Sequence, residues 1–358
     1  MKIALLNLPI DNNYGGNLQR YALMKVLQDI GHDVTHIDLR YKRVLPWYKK
    51  PYSYTKRFIY KYFLHKSIHI NEETYRNRQD EEMLKKILPF YDKYINHTRC
   101  CYSIRDVVRA TKGKFDAFVV GSDQVWRKSM CVPIGWKNFL LEFVAEKNVK
   151  RFAYAVSFGR DSTEYDKEEY SEFNELFSHF NNVSVRENTA IDILNSMGCN
   201  ASHVSLCLDP TLLLDRHDWA RLCCDVNLSQ PTKGKIFCYV LDMTEEIKEY
   251  IKQKSEELKL PVVVAGLSST TLSITDWLSS IHDAEYIITD SYHGTVFSII
   301  FEKQFHYCGN MRRGNSRIES LFEIIGINCD NNRIIDWDSV NRNISCHKKI
   351  SMDVLNLY

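Results

Sequence analysis

Short apolar runs recur along the chain and alternate with stretches of helical periodicity. In the first half of the chain the apolar runs cover residues 3–8, 33–39, 115–120, 151–156, 182–185 and 203–208. In the second half they cover residues 236–241, 261–265, 286–289 and 304–307. Residues 18–30 and 245–258 repeat their apolar positions at helical spacing. Strands that alternate with helices predict parallel pairing and an α/β fold.

The runs fall into two sets, which predicts two doubly wound, Rossmann-like domains that face a cleft. Residues 1–214 are expected to form the first α/β domain, and the polar residues 215–235 a linker. Residues 236–330 are expected to form the second α/β domain, and residues 331–358 a helical C-terminal tail. Two such halves around a cleft make an architecture of the glycosyltransferase-B type.

Composition narrows the class of protein. Of the 358 residues, 44% are hydrophobic and 26% are charged, as in globular domains and unlike disordered chains. The net charge of +2 does not support nucleic-acid binding, and no run approaches the roughly 20 apolar residues of a membrane-spanning helix. An odd number of cysteines, 11, and a start without a signal-peptide pattern predict reduced thiols in a cytoplasmic protein.

Four polar turns follow predicted strands, where open α/β sheets bind their ligands. The first turn contains Asn13, Tyr14, Gly15, Gly16 and Asn17, and its paired glycines allow the backbone to approach a ligand closely. It matches neither G-x-G-x-x-G nor a P-loop, so it does not indicate a dinucleotide or a nucleoside triphosphate. The alternative is a plain flexible turn.

The second and third turns contribute a carboxylate and a guanidinium. Asp123 has the chemistry to orient or deprotonate a hydroxyl group, although a helix N-cap is an equally ordinary role for Asp. Arg186 follows its strand directly, and its planar guanidinium suits a phosphate or a carboxylate. The alternative is a surface arginine paired with Glu187 or Asp192.

The fourth turn carries His293 after Ser291 and before Gly294 and Thr295. A helix that begins there directs free N–H groups and the positive end of its dipole at a ligand. The imidazole can deliver a proton to that ligand. The alternative is a structural histidine, but the small polar neighbours favour a site.

Three more cations follow the next strand. For Arg312 and Arg313, the alternative to a role in ligand binding is a solvated basic loop. Arg317 opens an amphipathic helix, where a cation is unfavourable unless an anion lies nearby, so Arg317 is predicted to face a ligand. Asp336 and Asp338 have D-x-D spacing but follow no strand, so they are interpreted as a helix cap, and no metal site is predicted.

Residues 41–66 form a basic aromatic segment. They contain eight Lys and Arg residues, no Asp or Glu, and many aromatic residues, so the rest of the chain is net acidic. Such a segment is typical of proteins that rest on an anionic bilayer, here as peripheral contact with the inner membrane surface. The alternative is an ordinary insertion whose aromatic residues lie in the core.

Seven motifs in this order resemble the polysaccharide pyruvyl transferase family and span most of the chain. They are NYGGNLQ at 13–19, GSDQVW at 121–126, SFG at 157–159, SVRE at 184–187, LDPTLL at 208–213, TDSYHGT at 289–295 and NSR at 315–317. Each motif alone is a weak signal, and their order and spacing together are specific. One departure is Ser291, where some members have an arginine two residues before the histidine.

The resemblance implies a metal-independent enzyme with a glycosyltransferase-B-like fold and no cofactor. Such enzymes transfer pyruvate from phosphoenolpyruvate to two hydroxyls of a sugar as a cyclic ketal. The sugar belongs to a capsule, exopolysaccharide or cell-wall precursor, which in some cases is lipid-linked. The family histidine corresponds to His293 and the family arginine to Arg186. Because of Ser291, the expected further donor cations are Arg317, Arg312 and Arg313.

A mechanism follows as a hypothesis from this resemblance. His293 protonates the donor, Asp123 acts as base for a sugar hydroxyl, and the turn with Gly294 and Thr295 helps to bind donor phosphate and carboxylate. The 13–17 turn then faces the acceptor. Two alternatives stay open: a metal-independent glycosyltransferase that uses a nucleotide sugar, and a non-catalytic glycan-binding protein.

Overall fold

The first strand and helix show how the sequence pattern becomes structure. Residues Lys2–Leu6 form a strand whose last four residues are buried, and helix Tyr14–Asp29 follows it. Asn13 caps this helix, because its side chain accepts a hydrogen bond from the N–H group of Gly16. Gly31, at φ +97°, ends it in a conformation that favours glycine.

The computed structural model describes residues 1–223, 228, 230–265, 272–309, 316–327 and 334–356. In these residues the strands are β1 (Lys2–Leu6), β2 (Asp33–His36), β3 (Ala117–Asp123), β4 (Lys150–Val156), β5 (Asn182–Val185), β6 (Ser205–Leu206), β7 (Ile236–Tyr239), β8 (Val262–Ala265), β9 (Tyr286–Thr289) and β10 (Gln304–Tyr307). Each predicted strand therefore contains an observed one, or overlaps it closely.

The strands form two parallel sheets. The first has the order β2-β1-β3-β4-β5-β6, and the second has the order β10-β9-β7-β8. Every strand pair within them is parallel. In each sheet the second strand lies on one side of the first strand, and the later strands are added on the other side. This reversal is the pattern of doubly wound sheets. The predicted α/β fold with two Rossmann-like halves of glycosyltransferase-B type is confirmed.

Helices cover the sheets. Among the described residues they are α1 (Tyr14–Asp29), α2 (Lys50–Tyr62), α3 (Glu72–Tyr94), α4 (Ile104–Thr111), α5 (Trp136–Phe139), α6 (Tyr170–Phe177), α7 (Asn188–Ser196), α8 (Arg216–Cys223), α9 (Glu245–Leu258), α10 (Ile274–Asp283), α11 (Tyr292–Ile300), α12 (Ser316–Ile325) and α13 (Trp337–Leu355). Short 3₁₀ helices are Trp47–Lys49, Lys128–Met130, Lys167–Glu169 and Pro210–Leu213. Among the described residues, none of these helices combines the length and the hydropathy that spanning a bilayer requires.

The C-terminal helix returns to the first half of the chain. Asp336 caps α13 by accepting a hydrogen bond from the N–H group of Ser339, which confirms the predicted helix cap. Near its other end, Ser351 accepts a hydrogen bond of 2.9 Å from the N–H group of Leu208. Helix α13 thus ties the end of the chain to the six-stranded sheet.

The segment assigned to a linker begins with a packed helix. Helix α8 lies within residues 215–235, and its Trp219 is fully buried against Tyr21 and Phe297. A polar sequence concealed this helix, since only Trp219 and Leu222 of its eight residues are buried. The boundaries at 214, 235 and 330 stay a prediction.

Strand β3 is longer than its apolar run. It continues through Gly121 and Ser122 to Asp123, all of them buried. A Cβ on Gly121 would overlap the carbonyl oxygen of Tyr154 on the neighbouring strand, so only glycine fits there. Asp123 has φ +73° and no helix begins at it, so the alternative of a helix N-cap is wrong.

Candidate active site between the two sheets

Three charged side chains follow strands of the six-stranded sheet. Asp123 ends β3, Arg186 comes directly after β5, and Asp209 comes shortly after β6. They are 7%, 3% and 1% exposed. Because parallel strands place their carboxyl ends on one edge, residues far apart in sequence meet here.

Arg186 is the centre of this group. Its Nη1 donates to Asp209 at 2.7 Å, its Nη2 lies 3.5 Å from Asp123, and its Nε lies 3.7 Å from Glu187. Burial alone would lower the pKa of the guanidinium, but Tyr292 and the three carboxylates outweigh it and raise that pKa. Arg186 is therefore charged and holds three carboxylates, and the predicted alternative of a surface arginine is wrong.

Asp209 joins the two sheets. Its Oδ1 accepts hydrogen bonds from the N–H group and hydroxyl of Thr211, at 3.0 and 2.6 Å, and its Oδ2 accepts from Gln19 and Arg186. The same oxygen lies 3.6 Å from Nε2 of His293. Burial favours the neutral acid, but His293, Arg186 and Thr211 together hold the pKa of Asp209 well below its usual range.

His293 lies in the first turn of α11, which follows β9 of the other sheet. Ser291 caps the helix, because its hydroxyl accepts from the N–H group of Gly294 at 3.4 Å. The imidazole is 6% exposed and faces Asp209 across the boundary between the sheets. A protonated imidazole here forms an ion pair with Asp209, which suits a group that stores and releases a proton.

Glycines of α1 cover the imidazole from the first half of the chain. A Cβ on Gly15 would overlap the His293 ring, so the backbone of α1 packs directly on it. A Cβ on Gly16 would lie 3.7 Å from Oδ2 of Asp123 and 3.2 Å from Nδ2 of Asn13. The paired glycines therefore bring the helix N-terminus between His293 and Asp123, and a plain flexible turn is wrong.

The turn around His293 uses two of its N–H groups internally. Besides the bond from Gly294 to the Ser291 hydroxyl, the N–H group and hydroxyl of Thr295 both donate to the carbonyl oxygen of Ser291, at 3.0 and 3.1 Å. The N–H groups of Tyr292 and His293 precede the first intrahelical hydrogen bond. In the described residues, the N–H groups available to an anion at this helix start are therefore those of Tyr292 and His293.

Arg317 approaches the same place from α12. It is 8% exposed, and its guanidinium lies over the Tyr292 ring at 5.7 Å, while that of Arg186 lies over the same ring at 4.4 Å. Burial lowers the pKa of Arg317, and the like charge of Arg186 lowers it further. An anion bound beside both guanidiniums would relieve this repulsion. Arg312 and Arg313 lie outside the described residues.

The turn predicted to face the acceptor has a rigid part and an exposed part. Asn17 is buried, donates to the carbonyl oxygens of Asp11 and Asn13, and accepts from Arg20 at 2.6 Å. The Tyr14 hydroxyl exchanges hydrogen bonds with the backbone of Leu272. Asn13 and the residues just before it are exposed. The acceptor assignments stay a prediction, and Asn13 is the member of the set with a side chain open to solvent.

Sequence reasoning missed three members of the cluster, namely Gln19, Asp209 and Tyr292. Asp209 and Gln19 lie inside quoted motifs, yet neither was given a role. The available signal for Asp209 was its place after a predicted strand, the same signal that singled out Asp123. Nowhere in the described residues do three or more His, Cys, Asp or Glu side chains form a group arranged to hold a metal ion.

Comparison with known families identifies the family of the chain. A sequence model of the polysaccharide pyruvyl transferase family matches residues 13–311. The chain belongs to this family. The enzyme is therefore a transferase of polysaccharide biosynthesis, and the matched range includes Asp123, Arg186, Asp209 and His293. A search of the curated proteins found no match.

Solved structures similar to this transferase include several UDP-GlcNAc 2-epimerases. The enzyme from Neisseria meningitidis bound to UDP-GlcNAc has 10% sequence identity and a TM-score of 0.47, with 100% of both chains covered. The enzyme from Rickettsia bellii has 11% identity and a TM-score of 0.43, with 100% of this chain and 97% of that chain covered. The enzyme from Methanocaldococcus jannaschii in complex with UDP-GlcNAc and UDP has 12% identity and a TM-score of 0.41, with 97% and 99% covered. At these scores the likeness carries no argument about substrate.

Proposed function

We propose that the enzyme transfers the pyruvyl group of phosphoenolpyruvate to two hydroxyls of a sugar in a polysaccharide precursor, as a cyclic ketal. The observation that carries the proposal is the buried pair His293 and Asp209, whose Nε2 and Oδ2 are 3.6 Å apart. The neighbouring residue Tyr292 carries the Arg317 guanidinium over its ring at 5.7 Å. In this proposal the pair supplies the proton for transfer, and membership of the pyruvyl transferase family supports that role.

The donor is proposed to bind beside Tyr292. Arg317 and the N–H groups of Tyr292 and His293 supply positive charge and hydrogen-bond donors for its phosphate and carboxylate. Arg186 already binds three carboxylates, so its role is to hold Asp123 and Asp209 in place and to add positive charge behind the ring. Its direct contact with the donor stays a prediction, as do the contacts of Ser291, Gly294, Thr295, Arg312 and Arg313.

The chemistry begins with a proton transfer from His293 to C3 of the donor, which turns the methylene into a methyl group and leaves C2 electron-deficient. Asp209, held ionised, stabilises the imidazolium before the transfer. A sugar hydroxyl then forms a bond to C2 as Asp123 takes its proton. The bond between C2 and the phosphate oxygen breaks, and phosphate leaves.

The second hydroxyl closes the ketal by attack on C2. Of the two hydroxyl protons, one replaces the proton that His293 gave to the methyl group, and the other leaves with the phosphate. Charge and protons therefore balance without a metal ion or a redox partner. Neither the acceptor hydroxyl nor the donor needs a cofactor for these steps.

The test of this function is release of phosphate from phosphoenolpyruvate by the purified enzyme with a panel of sugar acceptors. Galactose-, mannose- and amino-sugar-containing acceptors are compared, with UDP-sugars as a parallel set of donors. The proposal expects acceptor-dependent phosphate release and a product heavier by a pyruvyl ketal. Turnover of a UDP-sugar with no reaction of phosphoenolpyruvate would replace it by a glycosyltransferase function.

A further inference from the structure

The basic aromatic segment, residues 41–66, projects from the protein surface. It contains the 3₁₀ helix Trp47–Lys49 and helix α2, and neither has a buried residue. Its exposed large side chains are Tyr41, Val44, Trp47, Tyr48, Tyr52, Phe58, Ile59, Tyr62, Phe63 and Leu64. Trp47 is 81% exposed and Tyr52 is 73% exposed. The alternative that these aromatic residues lie in the core is therefore wrong.

Helix α2 turns its apolar face to solvent. Tyr52, Ile59 and Phe63 recur at helical spacing along one side. Arg57 lies on the opposite side, where it binds Glu73 of α3 through two hydrogen bonds of 2.6 and 2.7 Å and donates to the carbonyl oxygen of Ile70. A helix of a globular domain usually buries its apolar face, and α2 instead anchors itself by its polar face.

Unpaired positive charge surrounds this apolar face. Within the described part of the chain, none of the six lysines of the segment has a carboxylate within ion-pair distance; these are Lys42, Lys49, Lys50, Lys56, Lys61 and Lys66. Five of the six instead lie over tyrosine rings, at 4.9 to 5.9 Å. An apolar helix face bordered by free lysines and exposed aromatic rings matches the interface of an anionic bilayer, where headgroups are negative and acyl chains lie just below.

We propose that the basic aromatic segment docks the enzyme on an anionic lipid bilayer, with the apolar face of α2 and Trp47 inserted among the headgroups. A second copy of the chain is the main competing occupant. It would bring two sets of unpaired lysines face to face across a twofold axis, because a symmetric dimer joins the same patch of both subunits. That repulsion favours the bilayer.

Docking would also orient the 13–17 turn. Helix α3 joins both regions, since Arg43 and Arg57 of the segment pair with Asp80 and Glu73 of α3. The next turn of α3 carries Met83, whose sulfur accepts from Nδ2 of Asn12 at 3.3 Å. The proposed acceptor side therefore lies beside the element that holds the docking segment, as suits an acceptor carried on a lipid. This consequence rests on the proposed function, whereas membrane binding does not.

The test is co-sedimentation of the full chain with vesicles of phosphatidylcholine alone and of equimolar phosphatidylcholine and phosphatidylglycerol. Two variants change the segment: Y52S/I59S/F63S removes the apolar face, and K49Q/K50Q/K56Q/K61Q removes charge. Matched controls change large apolar residues and lysines at exposed sites elsewhere: M130S/L258S/I350S and K112Q/K147Q/K252Q/K259Q. Unfolding midpoints of all variants are compared with that of the parent.

The proposal expects binding at least about tenfold stronger to the anionic vesicles, and weaker binding as the ionic strength rises from about 0.1 to about 1 M. Each segment variant should lose most of this binding, and each control should keep it. Because Trp47 alone among the six tryptophans is exposed, its fluorescence should shift to the blue with anionic vesicles, and W47F should lose the shift.

Three results would overturn the proposal: no vesicle binding, equal loss in the segment and control variants, or a dimer that Y52S/I59S/F63S disperses while vesicles stay unbound. The last result would assign the face to contact between copies. Phosphate release with a water-soluble acceptor is measured in parallel. Since the segment is outside the cluster around His293, that activity reports on the proposed function independently of membrane binding.

Discussion

Gly15, in the first turn of α1, packs its backbone directly against the imidazole ring of His293 from α11. The two residues are far apart in sequence and follow strands of different sheets. A side chain at position 15 would occupy the space of the ring. The contact therefore sets how closely the two halves of the enzyme approach around the proposed proton donor.

Replacing Gly15 with Ala tests this contact. The added methyl group has no room while His293 keeps its position, so we expect the ring to be displaced and the rate of transfer to fall by about 100-fold, the effect of a misplaced reacting group. The measurement is kcat for phosphate release. Gly16→Ala is the matched control in the same turn, since its nearest neighbour is the movable side chain of Asn13 at 3.2 Å. A rate for Gly15→Ala equal to that of the parent would show that the contact is not needed.

Asp209→Asn tests the acid that joins the sheets. The variant keeps the shape of the side chain but leaves Arg186 and His293 with less negative charge, so we expect unfolding free energy to fall by about 3 kcal/mol and turnover to fall with it. The control is Asp215→Asn, an exposed acid paired with Lys348, which should change stability by less than about 1 kcal/mol. Denaturant unfolding at neutral pH measures both.

The pH dependence of the Asp209 variant has a definite sign. The pKa of Asp209 is depressed in the folded protein, so its stabilising contribution is present above the ordinary carboxyl pKa and is lost as the pH falls through the acid range. The difference in stability between the parent and Asp209→Asn should therefore shrink as the pH is lowered. A difference that grew in acid would contradict the proposed ion pairs.

Arg317→Gln tests the donor site. Removing this cation should raise the KM for phosphoenolpyruvate by about tenfold or more, because a charged donor loses a charge-assisted partner. The KM for the sugar should change little. Arg216→Gln, which removes an exposed arginine paired with Glu302, is the control. An unchanged KM for phosphoenolpyruvate would exclude Arg317 from the donor site.

His306 gives a second pH prediction, away from the site. Burial, with a smaller effect of Lys254, lowers its pKa to about 4. Between the ordinary value near 6.5 and pH 4 the unfolded chain binds a proton that the folded protein does not, so stability decreases as the pH falls through this window. His306→Phe keeps a ring beside Tyr250 and should reduce the loss between pH 7 and pH 5 by about 1–2 kcal/mol. Parallel urea titrations of the parent and the variant check this; identical losses would contradict it.

The sequence predicted the fold better than the site. The apolar run at 286–289 coincides with β9, because buried parallel strands need little else than continuous apolar residues. Helix α8 was missed, since two buried residues, Trp219 and Leu222, are too few to give a periodic signal. The charged residues after β3 and β5 were found by the rule that ligands lie at strand ends.

Pairing within the site could not be predicted in the same way. Nothing in the sequence states that Asp209 faces His293, or that Arg186 binds three carboxylates, because these contacts depend on how two sheets meet. Nor does the turn at 13–17 reveal that the Asn17 amide supports the loop internally. Spacing along the chain identifies candidate residues, and packing decides their partners.

The most direct test of the central claim is to run the transfer in D₂O and determine the mass and deuterium position of the ketal. Protonation of C3 by His293 predicts one deuterium in the new methyl group, and His293→Ala should lose turnover by at least about 100-fold while its unfolding midpoint stays near that of the parent. A ketal without deuterium in the methyl group, or a His293→Ala variant with near-normal turnover, would contradict the mechanism proposed for this enzyme.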